Sequence, residues 1–126
     1  MRNVATMVAE AKAQAEALSP DQVTEEAKTG ALLVDLREPE ERVAQGTVPG
    51  AVFAPRGMLE FWADPDSPYH RAEFDPSRRL VLYCASGGRS ALAVTTLTEM
   101  GYDDVAHLDG GLKAWKEAGL PVELPS

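Results

Sequence analysis

The sequence of 126 residues lacks the features that mark several large functional classes. It has one cysteine, so it cannot form an internal disulfide, and the single thiol is typical of a protein of the reducing cytoplasm. No apolar run approaches the roughly 20 residues that a transmembrane helix needs. Its two histidines, His70 and His107, are isolated and lack metal-ligand spacing, so we expect surface or packing roles for both.

Basic residues are also scarce. The chain has 12 lysines and arginines against 20 acidic residues, which gives a net charge of -8 and an isoelectric point near 4.7. Such a charge repels nucleic acid and anionic membrane surfaces, so neither is expected as a partner. The hydrophobic content of 44% is sufficient for one domain with one core.

The most informative part of the sequence is an apolar strand, a short loop and a helix at residues 80–100. Residues 80–83 are Leu-Val-Leu-Tyr, and the following loop begins at Cys84, the only cysteine. Residues 91–100 are predicted to form a helix that ends before Gly101. The loop therefore brings Cys84 close to a helix N-terminus, where free backbone N–H groups and the helix dipole stabilise negative charge.

The residues after Cys84 favour a nucleophile over an inert core cysteine, because a buried cysteine needs neither a glycine pair nor an arginine beside it. Glycines let successive N–H groups turn toward an anion, hydroxyl groups add donors, and an arginine adds positive charge. The candidate residues around the thiolate are Ala85, Ser86, Gly87, Gly88, Arg89 and Ser90. Phosphate binding of the P-loop type is not favoured, because its lysine and spacing are absent.

The remaining pattern alternates helices with short apolar strands. Ser19, Pro20 and Gln22 predict a capped helix start, and strands are predicted at residues 31–35, 51–54 and 105–108. A final helix follows the Gly110-Gly111 turn, with Trp115 as a core anchor. This order predicts an α/β fold with a mainly parallel sheet and helices on both faces.

Two segments are less regular in their predicted roles. Residues 1–18 have apolar side chains at helical spacing and are interpreted as an N-terminal amphipathic helix, with no pattern of a targeting peptide. Residues 55–79 contain several prolines and allow only one or two helical turns, near residues 57–62. The apolar residues of this segment are expected to pack beneath it, although contact with substrate is an open alternative.

Four motifs together resemble the rhodanese family of sulfurtransferases. They are CASGGRS at residues 84–90, VDLRE at 34–38, GTVPGA at 46–51 and LDGGLKAW at 108–115. Their order and spacing carry the resemblance over residues 19 to 123, whereas one motif alone would be weak. The turn motif has Thr47 where the family often has histidine, a difference expected to affect packing more than chemistry.

The resemblance implies a rhodanese-like three-layer fold with a five-stranded sheet, in a domain of residues 19–126. It also implies that Cys84 takes a sulfane sulfur from thiosulfate or a persulfide, and passes it to a nucleophilic acceptor by two-step covalent catalysis. Expected partners are a small sulfur donor and a thiol or cyanide-like acceptor, with a protein sulfur carrier as a further candidate. No metal or organic cofactor is needed for this chemistry.

Charged residues near the predicted site give further expectations. Asp35 and Arg37 lie at a strand end and are expected to form a buried or half-buried pair that holds the neighbouring loops, with substrate binding as the alternative. Arg42 is expected on a solvated helix face, with anion binding as the alternative. Family members that prefer thiosulfate commonly carry a cation just after the cysteine, and Ala85 stands there, so a persulfide or protein donor is favoured over thiosulfate.

Two other functions remain as alternatives. A related family of cell-cycle phosphatases has five residues between cysteine and arginine, whereas Cys84 and Arg89 are separated by four, which favours a cradle of sulfur size over phosphate or arsenate. A phosphatase or arsenate reductase is therefore the less favoured enzyme. The non-enzymatic alternative is a binding or regulatory module on a rhodanese scaffold, and Cys84 argues against it because inactive copies typically lack the nucleophile.

Overall fold

A computed structural model describes residues 1–125 and has one parallel sheet as its centre. The five strands are β1 (Glu16–Leu18), β2 (Leu32–Asp35), β3 (Val52–Phe53), β4 (Leu80–Tyr83) and β5 (Val105–Leu108). Their order across the sheet is β1-β5-β4-β2-β3, and every pair is parallel. The predicted α/β fold with a five-stranded parallel sheet is thus confirmed.

Six α-helices accompany the sheet within residues 1–125. They are α1 (Val4–Gln14), α2 (Pro20–Lys28), α3 (Pro39–Gln45), α4 (Leu59–Ala63), α5 (Gly88–Glu99) and α6 (Gly111–Glu117). The capping box predicted for α2 is formed, because the Ser19 side chain accepts from Gln22 N–H and the Gln22 side chain accepts from Ser19 N–H. None of the helices within residues 1–125 is long and apolar enough to cross a bilayer.

The alternation of side chains along the central strands divides the core between the two faces of the sheet. Leu80 and Leu82 point into the cluster that includes Leu97 of α5. Val81 and Tyr83 point into the opposite cluster, where Trp115 of α6 lies. Both faces are therefore covered, which explains why β4 is apolar at every position.

The first strand differs from the sequence-based expectation, since the helical pattern of residues 1–18 stops early. α1 ends at Gln14, and Glu16–Leu18 form β1, paired with β5 at the sheet edge. Arg79 explains how this short strand is held, because its guanidinium bonds Glu16, Glu26 and Asp104 at 2.8–2.9 Å. These contacts join β1 to the chain segments that precede β2, β4 and β5.

The segment of residues 55–79 packs against the core. It forms a 3-10 turn at Arg56–Met58 and then α4, and it buries Leu59 and Phe74 in the cluster that faces α5. Trp62 also packs against this cluster, while Phe61 stays half-exposed. The expectation that the apolar residues of the segment pack beneath it is confirmed for Leu59 and Trp62 and is wrong for Phe61.

Candidate active site

Cys84 follows β4 directly, and its side chain is buried beneath the loop that leads to α5. Gly87 has a φ of 108°, a left-handed conformation that glycine adopts without strain. This turn directs the Gly87 N–H at the sulfur, with 3.1 Å between N and Sγ. Among residues 1–125 it is the only backbone N–H that donates to Sγ, so the predicted cradle of several amides is reduced to one direct donor.

A chain of polar side chains continues from the sulfur into the core. The Cys84 thiol donates to Ser90 Oγ at 3.7 Å, and Ser90 Oγ lies 2.8 Å from Nδ1 of His107 on β5. All three residues are buried, and Nε2 of His107 has no hydrogen-bond partner within residues 1–125. Burial lowers the pKa of His107, so the imidazole is favoured in its neutral form beside Ser90.

The one hydroxyl hydrogen of Ser90 is donated to the Gly87 carbonyl at 3.2 Å, while its oxygen accepts from the Cys84 thiol. The hydroxyl can donate to a negative sulfur only after this hydrogen turns from Gly87 toward Sγ, with Nδ1–H of His107 then donating to Ser90 Oγ. The sequence predicted Ser90 near the thiolate. The packing role expected for His107 agrees with its burial on β5, but its contact with Ser90 was not predicted. The available signal was weak: one polar residue within the apolar strand Val105–Leu108. Ser86, the other predicted hydroxyl donor, is exposed and makes no hydrogen bond to Cys84.

Arg89 is engaged with a carboxylate on a neighbouring helix. Its guanidinium donates to both carboxylate oxygens of Glu41 on α3, at 2.7 and 2.8 Å. Hydrogen bonds from Arg89 lower the pKa of Glu41 to about 2, and those same bonds raise the pKa of Arg89. The arginine thus ties the loop to α3, and its charge is partly neutralised there.

The start of α6 forms another wall of the loop. The backbone N–H groups of Leu112 and Lys113 donate to the carbonyl oxygens of Cys84 and Ala85, at 2.9 and 3.1 Å. Gly111 makes this approach possible, because a Cβ at that position would lie 2.6 Å from the Cys84 oxygen. The Gly110-Gly111 turn therefore fixes the backbone that carries the thiol.

Asp35 and Arg37 form a fully buried ion pair below the loops. The Arg37 side chain donates twice to the Asp35 carboxylate, at 2.8 and 2.9 Å, and also to the Gly46 carbonyl at 2.8 Å. Tyr83 donates to the same carboxylate at 2.9 Å. Burial raises the pKa of Asp35, but the bonds from Arg37 outweigh this effect and hold that pKa below its usual value.

The expectation that Arg42 lies on a solvated helix face is wrong. Its Nε donates to Asp35 at 3.1 Å, and its guanidinium lies 4.2 Å from the centre of the Phe53 ring. The side chain is only 17% exposed. Arg42 thus belongs to the network that holds β2 against α3.

An open cleft of about 720 Å³ borders the loop at Ala85 and Ser86. Its other walls come from α3 and α6. The residues that line it beyond the loop are Arg37, Glu40, Glu41, Ala44, Gln45, Leu112, Lys113, Lys116 and Glu117. No residue of the segment 55–79 lines this cleft.

Comparison with known sequences identifies the family. The sequence profile of the rhodanese-like domain matches residues 19–118. The chain belongs to the rhodanese-like domain family. The resemblance drawn from the four motifs is therefore confirmed, and the domain boundary at residue 19 remains a prediction.

Curated relatives of this rhodanese-like chain include enzymes with sulfurtransferase names. A sulfurtransferase of Allochromatium vinosum is 39% identical over 94 residues, which cover 75% of this chain and 79% of the relative. The thiosulfate sulfurtransferase GlpE of Haemophilus influenzae is 32% identical over 109 residues, which cover 84% of this chain and 92% of the relative. These relatives support a sulfurtransferase role for the chain.

Two solved structures extend the comparison. A Rhodopseudomonas palustris protein of unknown function, described as a possible tyrosine phosphatase, has a TM-score of 0.92 at 40% identity, covering 98% of this chain and 96% of that one. The polysulfide-sulfur transferase homodimer of Wolinella succinogenes has a TM-score of 0.77 at 31% identity, and the match covers 96% of this chain and 87% of that one. Both likenesses extend to residues that precede the matched profile.

Proposed function

We propose that this protein is a sulfurtransferase in which Cys84 carries the transferred sulfur as a persulfide. The observation that carries the proposal is the position of Cys84 Sγ, which accepts from Gly87 N–H and lies against the Ser90 hydroxyl at the N-terminus of α5. The Gly87 N–H stabilises a negative sulfur both before and after it gains a sulfur atom, and the Ser90 hydroxyl adds a donor once it turns from the Gly87 carbonyl toward the sulfur. Ala85, Ser86, Gly87, Gly88 and Ser90 are the proposed donor-binding residues. Arg89 acts there by holding the loop against Glu41 of α3, and Asp35 and Arg37 support the loop from below.

The first half-reaction forms one S–S bond and breaks another. The Cys84 thiolate attacks the sulfane sulfur of the donor, and the donor leaves with the electron pair, as sulfite from thiosulfate or as a thiolate from a persulfide. A nucleophilic acceptor, such as a thiolate or cyanide, then attacks the outer sulfur and releases the Cys84 thiolate. Neither step has a net redox change, and we propose the cytoplasm as the site of the reaction.

The phosphatase alternative has weaker support from the site. A phosphate bound in the loop would need the guanidinium of Arg89, which instead makes two hydrogen bonds to Glu41. The spacing of four residues between Cys84 and Arg89 also favours a smaller ligand. A non-catalytic binding module would not need a backbone N–H directed at Sγ.

The proposal predicts that Cys84 gains one sulfur atom from a suitable donor. We expect the intact mass of the protein to rise by one sulfur after incubation with thiosulfate or an alkyl persulfide, and to fall back when a thiol acceptor is added. The variant Cys84→Ser should show no gain with either donor. Sulfur retained on Cys84→Ser, or no gain by the unmodified protein with any donor, would contradict the proposal.

The buried hydroxyl gives a second prediction. Ser90→Ala should slow sulfur loading of Cys84 by about 10- to 100-fold, because it removes the buried hydroxyl that can turn toward the negative sulfur. His107→Asn should slow it less, because the amide can still bond Ser90. Loading rates from intact mass against time would measure both effects.

Thr95→Ala is the matched control, since it removes an exposed hydroxyl from the same helix. We expect its loading rate to equal that of the unmodified protein. Equal rates for Ser90→Ala and Thr95→Ala would show that Ser90 does not act on the sulfur.

A further inference from the structure

Within residues 1–125, two lysines that line the cleft beside the loop have no carboxylate partner, Lys113 and Lys116. Lys116 donates to the neutral side chain of Gln45 across the cleft at 3.0 Å, and Arg37 is bound to Asp35. The side chain of Lys113 makes no ion pair or hydrogen bond with any residue from 1 to 125. Lys113 is exposed, so a ligand can reach it without a change in the fold.

The position of Lys113 is fixed relative to the thiol. Its backbone N–H donates to the Ala85 carbonyl at 3.1 Å, which places it beside the residue that follows Cys84. Its side chain lines the same cleft as Ala85 and Ser86. A charge at Lys113 can therefore act on a ligand in the cleft whose reacting sulfur points toward Cys84.

The loop itself has little free positive charge to attract an anion. Ala85 is neutral, and Arg89 is bound through both of its terminal nitrogens to Glu41. Glu40 and Glu117 also line the cleft, and their carboxylates repel anions. They therefore favour a donor whose negative charge is confined to one end. A donor with an anionic group would therefore need a cation other than Arg89, and Lys113 lies beside the loop.

We infer that Lys113 is the specificity-determining residue that binds the anionic end of the sulfur donor, in place of the charge that Ala85 lacks. This inference rests on the proposed function. The ligand class is a sulfane-sulfur compound with an anionic group next to the transferred sulfur, a group that thiosulfate provides in its sulfonate end. The donor body would occupy the cleft between α3 and α6.

The first test is the rate of Cys84 loading as a function of thiosulfate concentration. In Lys113→Gln, the half-saturating concentration should rise about three- to tenfold at low ionic strength, with little change in the limiting rate. Lys113→Glu should raise it further. The double variant Ala85→Lys with Lys113→Gln should restore it, because the charge returns to the neighbouring position.

Substitutions of two lysines outside the cleft test whether Lys113 acts by a local contact with the donor or through the net charge of the protein. Lys28→Gln, an exposed position on α2, changes the net charge equally and should leave the half-saturating concentration unchanged. Lys12 of α1 lies on the Gly87 side of the loop, with Nζ 3.8 Å from where a Gly87 Cβ would lie. An equal rise in Lys12→Gln and Lys113→Gln would overturn the assignment to the cleft.

A second readout is independent of sulfur transfer. The rates at which Cys84 reacts with anionic iodoacetate and with neutral iodoacetamide give a ratio that reports the charge at the cleft. In Lys113→Gln this ratio should fall about three- to tenfold, while the iodoacetamide rate stays constant. If the ratio falls but no donor loads Cys84, the proposed function fails and the cation site stands. An unchanged ratio together with unchanged loading by thiosulfate overturns the inference about Lys113.

Discussion

Replacing Arg37 with methionine should destabilise the protein by about 3–5 kcal/mol, since the Asp35 carboxylate would then be buried without its main partner. Arg37→Met removes two hydrogen bonds to that carboxylate and the bond to the Gly46 carbonyl. Arg42 and Tyr83 still contact Asp35, but neither replaces the paired geometry of Arg37. Denaturant-induced unfolding, followed by circular dichroism, would measure the change.

The dependence of stability on pH should change as well. The pKa of Asp35 is lower in the folded protein than in the unfolded chain, so the pair contributes its full stability above the unfolded value of about 3.9. That contribution is lost as the pH falls through the lower folded value. In Arg37→Met, burial without the guanidinium raises the pKa of Asp35, so acidification from pH 5 to pH 3 should destabilise the variant less than the unmodified protein.

An exposed ion pair is the control for this prediction. Glu10→Gln breaks the Arg2–Glu10 pair, whose side chains are 59% and 55% exposed. Its stability should equal that of the unmodified protein, because solvent screens an exposed pair. The double variant Asp35→Asn with Arg37→Met should be more stable than Arg37→Met alone, since no buried charge remains. If Arg37→Met is as stable as Glu10→Gln, the Asp35–Arg37 pair does not have the structural role described above.

The features that the sequence predicted well depend on neighbours along the chain. The apolar strand at residues 80–83, the glycine turn and the following helix are continuous in sequence, so their local pattern fixes where Cys84 lies. The Asp35–Arg37 pair was predicted for the same reason, since only one residue separates its members. The capped start of α2 also follows from adjacent residues.

The features that were missed depend on contacts between distant segments. Glu41 and Arg89 are 48 residues apart, and Ser90 and His107 are 17 apart, so no local pattern joins them. β1 was hidden for another reason: it has three residues, and only Leu18 among them is buried. Its small apolar content continued the helical pattern of α1, whereas its pairing with β5 is a property of the folded sheet.

Gly111→Ala should have a large effect on both stability and sulfur loading. The φ of Gly111 is 62°, and a Cβ there would lie 2.6 Å from backbone atoms of Cys84 and Ala85. A left-handed residue with a Cβ costs about 1–2 kcal/mol, and forced overpacking adds about 1–3 kcal/mol. The loop can relieve the contact only by moving away from α6, and a shift of about 1 Å at a reacting group can slow a reaction about 100-fold.

Gly119→Ala separates the effect of left-handed backbone strain from the effect of the contact between the Cβ and the Cys84 loop. Gly119 has a φ of 77°, but a Cβ there would meet no atom within 4 Å, so this variant has the backbone strain without the contact. We expect it to lose about 1–2 kcal/mol of stability and to load sulfur at the normal rate. If Gly111→Ala, folded by circular dichroism, also loads sulfur normally, then the position of the loop against α6 does not control the reactivity of Cys84. A slow Gly111→Ala beside a normal Gly119→Ala would instead locate that control in the contact between the loop and the start of α6.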